Sequence, residues 1–356
     1  MSEDVAGRST ARASVAGRSG ARPVIDPEAR VPVPRPEPPD RQADRSVVRR
    51  GDQIFRGAAL FSGGLMVTLV VAIGVFLLIQ AIPALRLDRV NYLTSRIWDT
   101  DSLDNLRFGI VDLLLVTVEV SLVALVVAMP VALGIALFLT QYAPKRLARP
   151  FAYLVDLLAA VPSIVFGLWG IFVLAPALFP VAHWLNQHLS LVFLFDRRNG
   201  APGLEGGGNL LTAGIVLAVM ILPIITAVTR EVFERTPREH VEGALALGAT
   251  KWEMIRTTVL PFGRAGYVSA SMLGLGRALG ETIALYVILS TTNLAFAGSL
   301  FDGGSTFASK IAQAAPEFND PTQAGAYIAA GLVLFVLTFV VNAGARAAVA
   351  DRSGRR

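Results

Sequence analysis

Six long apolar blocks, at about 58–83, 108–142, 151–180, 210–228, 267–289 and 324–348, constrain this chain more than any other feature of it. Each matches or exceeds the roughly 20 apolar residues with which a helix crosses a bilayer. In hydrocarbon, backbone N–H and C=O groups must be paired within the segment, so isolated blocks of this length dictate helices. The second block is longer than one span requires, and tilt or an interfacial extension has to absorb the excess. Pro162 and Pro176 interrupt the third. Composition points the same way: 53% of the 356 residues are hydrophobic and 17% are charged, where soluble domains carry about a quarter charged. The expected fold class is an all-α membrane protein of about six transmembrane helices, occupying residues 51–348.

Charge placement sets the topology. Arg41, Arg45, Arg49, Arg50 and Arg56 precede the first block, Lys145, Arg146 and Arg149 separate the second from the third, and Arg352, Arg355 and Arg356 follow the sixth. With six spans these all lie on one face, and the positive-inside rule makes that face, with both termini, cytoplasmic. The same crowding at block ends attributes the net charge of +5 to membrane topology, not to nucleic-acid binding. Residues 1–50 combine frequent Arg and Pro with few large apolar side chains; they read as a disordered cytoplasmic tail, and residues 349–356 as a short second one. The chain has no cysteine and three histidines, which leaves no thiolate chemistry and little for a metal centre. His183 and His188, in the segment 181–209 with Trp184, Arg197, Arg198 and Gly206 to Gly208, have no third ligand; this segment reads as a solvated or docking loop on the outer face.

One loop on the cytoplasmic side stands apart. Residues 230–264 predict a pair of short helices, 237–260. Thr236, with Pro237 and Glu239, reads as the cap of the first, and Thr250 with Glu253 repeats the capping box for the second. Gly248 between them is free to take the left-handed conformation that ends a helix. Near the bend Ala244, Leu245, Ala246, Leu247, Ala249 and Trp252 are apolar. So little polar cover on a water-facing loop implies docking, either onto a partner or onto this chain's own spans.

Inside the fifth block stand Arg277 and Glu281, one helical turn apart, beside Gly276 and Gly280. An arginine at mid-bilayer costs about 2.5–3.5 kcal/mol, so it must face a bundle interior or a water path. The residues leave two readings: an ion pair that fixes helix packing, or a guanidinium fork offered to an oxyanion.

Glu242, Gly243 and Ala244, then Gly248, then Leu260 and Pro261 resemble the coupling motif of bacterial ABC importer permeases, with Gly243 and Thr258 departing from it. The run from Arg277 through Glu281 and Thr282 is similar to the RAxGET signature of phosphate importer permeases, and residues 157–170 and 244–252 are similar to the PstC type. The resemblance covers about residues 51–350 and implies a type I ABC importer permease fold in a bacterial inner membrane. It implies coupling to an ATPase through Glu242, Ala244, Leu245, Gly248, Ala249, Trp252, Leu260 and Pro261, and phosphate passage at Arg277, Glu281 and Thr282. It also implies a second homologous permease, two ATPase subunits that bind the ATP and Mg, an extracytoplasmic phosphate-binding protein, and no cofactor in this chain.

This chain supplies no ATP site of its own: Gly243, four residues on Gly248, is followed by Ala249 where a phosphate loop needs lysine. Glu119, with Asp112 and Val116, departs from the family pattern of the second span. An acid at that depth needs a partner, and Glu119 is expected to approach Arg277 or to line the same cavity. A membrane enzyme and an ion-coupled carrier remain as rivals. The first lacks a recognisable nucleophile and base, and neither needs the cytoplasmic bend.

Overall fold

The computed structural model describes residues 50–100, 105–197, 208–290, 296–318 and 320–353. The expected N-terminal tail, Arg198, Gly206, Gly207 and residues 354–356 lie outside these. The chain divides into two units, Met1–Ser62 and Gly63–Arg356; of the first, only the opening turns of helix α1 are described.

Helices account for most of the described residues. In chain order they are α1 (Arg50–Leu87), α2 (Val111–Leu137), α3 (Lys145–Ala159), α4 (Ser163–Trp169), α5 (Ala175–Leu189), α6 (Leu210–Glu234), α7 (Arg238–Ala246), α8 (Lys251–Met254), α9 (Leu260–Leu279), α10 (Ile283–Ile288), α11 (Phe307–Ala314) and α12 (Pro321–Ser353). Single π-helical turns extend α2 to Tyr142, join α4 to α5 and join α8 to α9. A two-residue antiparallel ladder pairs Trp98 with Phe108.

Among the described residues five helices are long and apolar enough to cross a membrane: Gln53–Leu87, Val111–Tyr142, Ser163–Leu189, Leu210–Glu234 and Pro321–Gly344. The expected third and fifth spans need correction. The third begins at Ser163 and runs to Leu189, so the helix carries His183 and His188 and the expected loop starts later. Residues 145–159 form the separate helix α3, which ends where the chain turns into Pro162. Proline disfavours helical geometry in the residue before it, which explains the division. The fifth block is no single span: α9 stops at Leu279, and α10 begins at Ile283 after three intervening residues. The last helix runs past the expected end at 348 to Ser353.

The core is a three-helix pack of α2, α6 and α9. On α2 the residues Val116, Val120, Ala124, Ala128, Ala132 and Ala136 recur every fourth position and are fully buried. Lipid tails are as apolar as leucine, so helices in a bilayer associate through close approach and dispersion, which small residues permit. A Cβ at Gly214 of α6 would stand 2.6 Å from Val123 of α2. One at Gly263 of α9 would stand 2.3 Å from the Phe233 ring of α6. By contrast α1 leaves Phe76 and Ile79 exposed and buries only Ala81 and Ala84, beside Leu106, Phe108 and Ala326.

Candidate functional site

The N-terminal ends of α2 and α6 meet a folded-in segment, residues 296–309, that plugs one end of the bundle. Its polar groups are paired with care. The Phe296 N–H donates to Asp112 Oδ2 (3.2 Å) and the Phe296 carbonyl accepts from Arg96 Nη1 (2.8 Å), while Arg96 Nε lies 3.7 Å from Asp112 Oδ1. Asp302, 7% exposed, accepts from the N–H groups of Ala297 (3.0 Å) and Ser299 (3.4 Å). The first N–H groups of α6, which have no partner inside the helix, donate to the plug: Leu210 to the Asp302 carbonyl (3.1 Å) and Leu211 to that of Leu300 (2.8 Å). Asn209 caps the same helix by accepting from Thr212 N–H (3.0 Å). Phe307 N–H donates to the Thr117 hydroxyl (3.1 Å), and Thr306 with Ser309 forms a capping box on α11.

Beneath the plug the fifth helix is broken. Gly280, Glu281 and Thr282 separate α9 from α10, and Glu281, 8% exposed, accepts from Ala284 N–H (3.3 Å). The carboxylate is thereby spent on the first turn of α10. Arg277 lies on the exposed face of α9 and makes no ion pair among the described residues. The reading of Arg277 and Glu281 as an ion pair one turn apart is therefore corrected, because it assumed an unbroken helix. Thr282 donates its hydroxyl to the Gly280 carbonyl (3.2 Å).

Of the two expectations for Glu119, pairing with Arg277 or lining the same cavity, the ion pair is not found. Glu119 has no cation within salt-bridge distance among the described residues. One of its carboxylate oxygens is buried without a hydrogen bond.

At the other end of the bundle, α7 and α8 form the expected bend. Gly248 has φ +88°, a conformation open to glycine at little cost. Thr250 and Glu253 make the predicted capping box, with Thr250 N–H and hydroxyl each donating to Glu253 Oε2 (2.8 Å). These bonds favour the ionised form and hold the Glu253 carboxyl below the usual glutamate range. The cap expected at Thr236 does not form: Pro237 takes the cap position, and the Thr236 hydroxyl is buried without a partner. The second helix is not short, since residues 251–279 run without interruption from α8 into α9.

The inner side of this bend is fixed by Met254, Ile255 and Val259, buried with Phe233, and by Lys251 over the Tyr142 ring (4.8 Å). Its outer side is bare. Leu247 is 91% exposed, Trp252 56% and Leu245 45%. Glu242 and Pro261 are exposed, Ala244, Ala249 and Leu260 half-buried. Packing onto the chain's own spans thus accounts for the inner residues only.

The plug was not anticipated from sequence. Asp302, Thr117, Arg96 and the Thr306/Ser309 cap carry it, and of these only the capping pair has a recognisable spacing.

A bundle of this kind, with a broken helix presenting a free guanidinium and a bare bend at one end, is a membrane transport component. The family model for the binding-protein-dependent transport system inner membrane component matches residues 128–352, and the chain belongs to that family. It is 59% identical over 304 residues to the phosphate transport system permease protein PstC 2 of Mycobacterium tuberculosis, a match covering 85% of this chain and 93% of that one. Identity to the phosphate transport system permease protein PstC of Mycobacterium leprae is 58% over 301 residues, covering 85% of this chain and 94% of the relative. A chain of a bacterial ABC transporter involved in the import of the acidic polysaccharide alginate shares the fold, with TM-score 0.54 at 15% identity over 84% of this chain and 97% of that one. The family makes this chain an inner-membrane transport subunit that works with a binding protein.

Proposed function

We propose that this chain forms half of the translocation path for inorganic phosphate in an ATP-driven importer, the other half coming from a second, homologous permease. Two separate ATPase subunits bind ATP and Mg and grip the helix pair 237–260, and an extracytoplasmic binding protein delivers phosphate. The bend end then faces the cytoplasm with both termini, and the plug closes the outer end. The chain itself carries no reaction centre.

The observation that carries this reading is Arg277, an exposed guanidinium without an ion-pair partner among the described residues, at the break of the fifth helix. A cation at that position is costly against lipid, and its planar fork matches a tetrahedral oxyanion. The names of relatives nearly 60% identical favour phosphate among the oxyanions. The bare Leu247 and Trp252 support the ATPase contact.

Phosphate uptake by cells carrying Arg277→Gln tests the path, with Leu275→Ala as a packing control. Losing a charge-assisted hydrogen bond to the substrate lowers uptake at least about tenfold, while the control stays near wild type. Equal uptake in both, at equal expression, defeats the reading.

A further inference from the structure

We infer that Tyr286 is a second substrate contact in the path, placed between the plug and Arg277. The inference rests on the phosphate-permease reading above. Exposed positions recur every three or four residues, and the rhythm carries across the break: Ser269, Leu273 and Arg277 on α9, Gly280 in the break, then Ile283 and Tyr286 on α10 and Ser290 after it. The other side of α10 is occupied. Ala284, Leu285 and Ile288 are buried, and a Cβ at Gly167 of α4 would come within 3.1 Å of the Ala284 backbone. Ser290 ties the top of this stripe to the plug, with its N–H donating to the Gly208 carbonyl (3.0 Å) and its own carbonyl accepting from Gly304 N–H (3.0 Å).

Tyr286 therefore sits one turn inside the plug and nine residues along the chain from Arg277, across the break. Its side lies 49% exposed, and its hydroxyl has no protein partner among the described residues. A phenol facing hydrocarbon would forgo hydrogen bonding at a cost; on the stripe that bears Arg277 it meets water and substrate. The chemistry of the two groups is complementary. The guanidinium only donates, whereas the phenol both donates and accepts. It can donate to a phosphoryl oxygen and accept from the P–OH that phosphate keeps near neutral pH.

The chain has no cysteine, so single-cysteine variants report on one position each. In the full complex with its ATPase and binding protein, reconstituted in liposomes and turning over, a negatively charged water-soluble thiosulfonate is expected to modify Tyr286→Cys and Arg277→Cys. Ile288→Cys, on the buried side of the same helix, stays unmodified. Tyr286→Phe keeps the ring and is expected to lower phosphate uptake about tenfold, while ATP hydrolysis stimulated by the binding protein changes less than twofold. A merely structural role would lower both together, and that result overturns the inference. Modification of Arg277→Cys but not Tyr286→Cys, or normal uptake by Tyr286→Phe beside a defective Arg277→Gln, also overturns it and leaves the phosphate reading standing. If Arg277→Gln transports normally as well, the path assignment itself fails and the inference falls with it.

Discussion

The two ends of this bundle solve opposite problems. At the plugged end the chain satisfies itself: buried N–H groups of α6, α11 and residues 296–299 find acceptors in Asp112, Thr117, Asp302 and the plug carbonyls. At the bend end it does not, for Leu247 and Trp252 are exposed and nothing among the described residues covers them. Closure of one end is thus written into this polypeptide, while the other keeps a bare apolar face, which the proposed ATPase contact would complete. On that reading the asymmetry keeps the end that faces the motor available to be gripped.

The sharpest way to break the comparison is at the plug. Asp302→Ala leaves the buried N–H groups of Ala297 and Ser299 without an acceptor, and at 1–3 kcal/mol for each orphaned group the loss is about 3 kcal/mol. Thermal unfolding of the purified complex measures it, and an unchanged midpoint would mean that the plug is not self-sufficient. At the bend the signature should be reversed. Leu247→Glu removes an exposed apolar anchor, so binding of the ATPase weakens about 30-fold, the ~2 kcal/mol of a hot-spot residue, with no loss of thermal stability. A melting defect in this variant would place Leu247 in the fold and erase the contrast.

Smaller effects sharpen the picture. Gly248→Ala forces a side chain into the left-handed region and costs about 1 kcal/mol, visible as faster amide exchange confined to residues 244–254. The smallest effect concerns pH. Glu253 has a lowered pKa because Thr250 donates to its ionised form. Its contribution to the bend is therefore complete above the ordinary glutamate range and is lost as the pH falls through the lowered value. Amide exchange at Thr250 should accelerate over that acid window, and Glu253→Gln should flatten the dependence.

Much of this architecture was legible because lipid makes hydropathy decisive. Four of the blocks became spans with modest shifts of their ends, and the bend at Gly248 with its Thr250/Glu253 cap followed from local backbone chemistry. The failures have physical causes too. A hydropathy block does not register a break such as Gly280 to Thr282, so Arg277 and Glu281 looked like neighbours on one face. Thr236 had the right spacing to Glu239, but Pro237 took the cap position. The plug was hidden because Phe296 and Phe307 belong to no periodic pattern; their partners Asp112 and Thr117 are close in space and far in sequence. Glu119 was expected to find a cation, yet it has none within salt-bridge distance among the described residues, and residue type alone does not reveal that.

The uninterrupted helix from Lys251 to Leu279 is a stiff rod about 40 Å long at helical rise. On the proposed ATPase contact, a displacement at Trp252 would be carried along this rod toward Arg277, and the break at Gly280 to Thr282 stands between it and the plug. Such a joint would let the proposed motor swing the guanidinium like the far end of a tiller before the plug is disturbed.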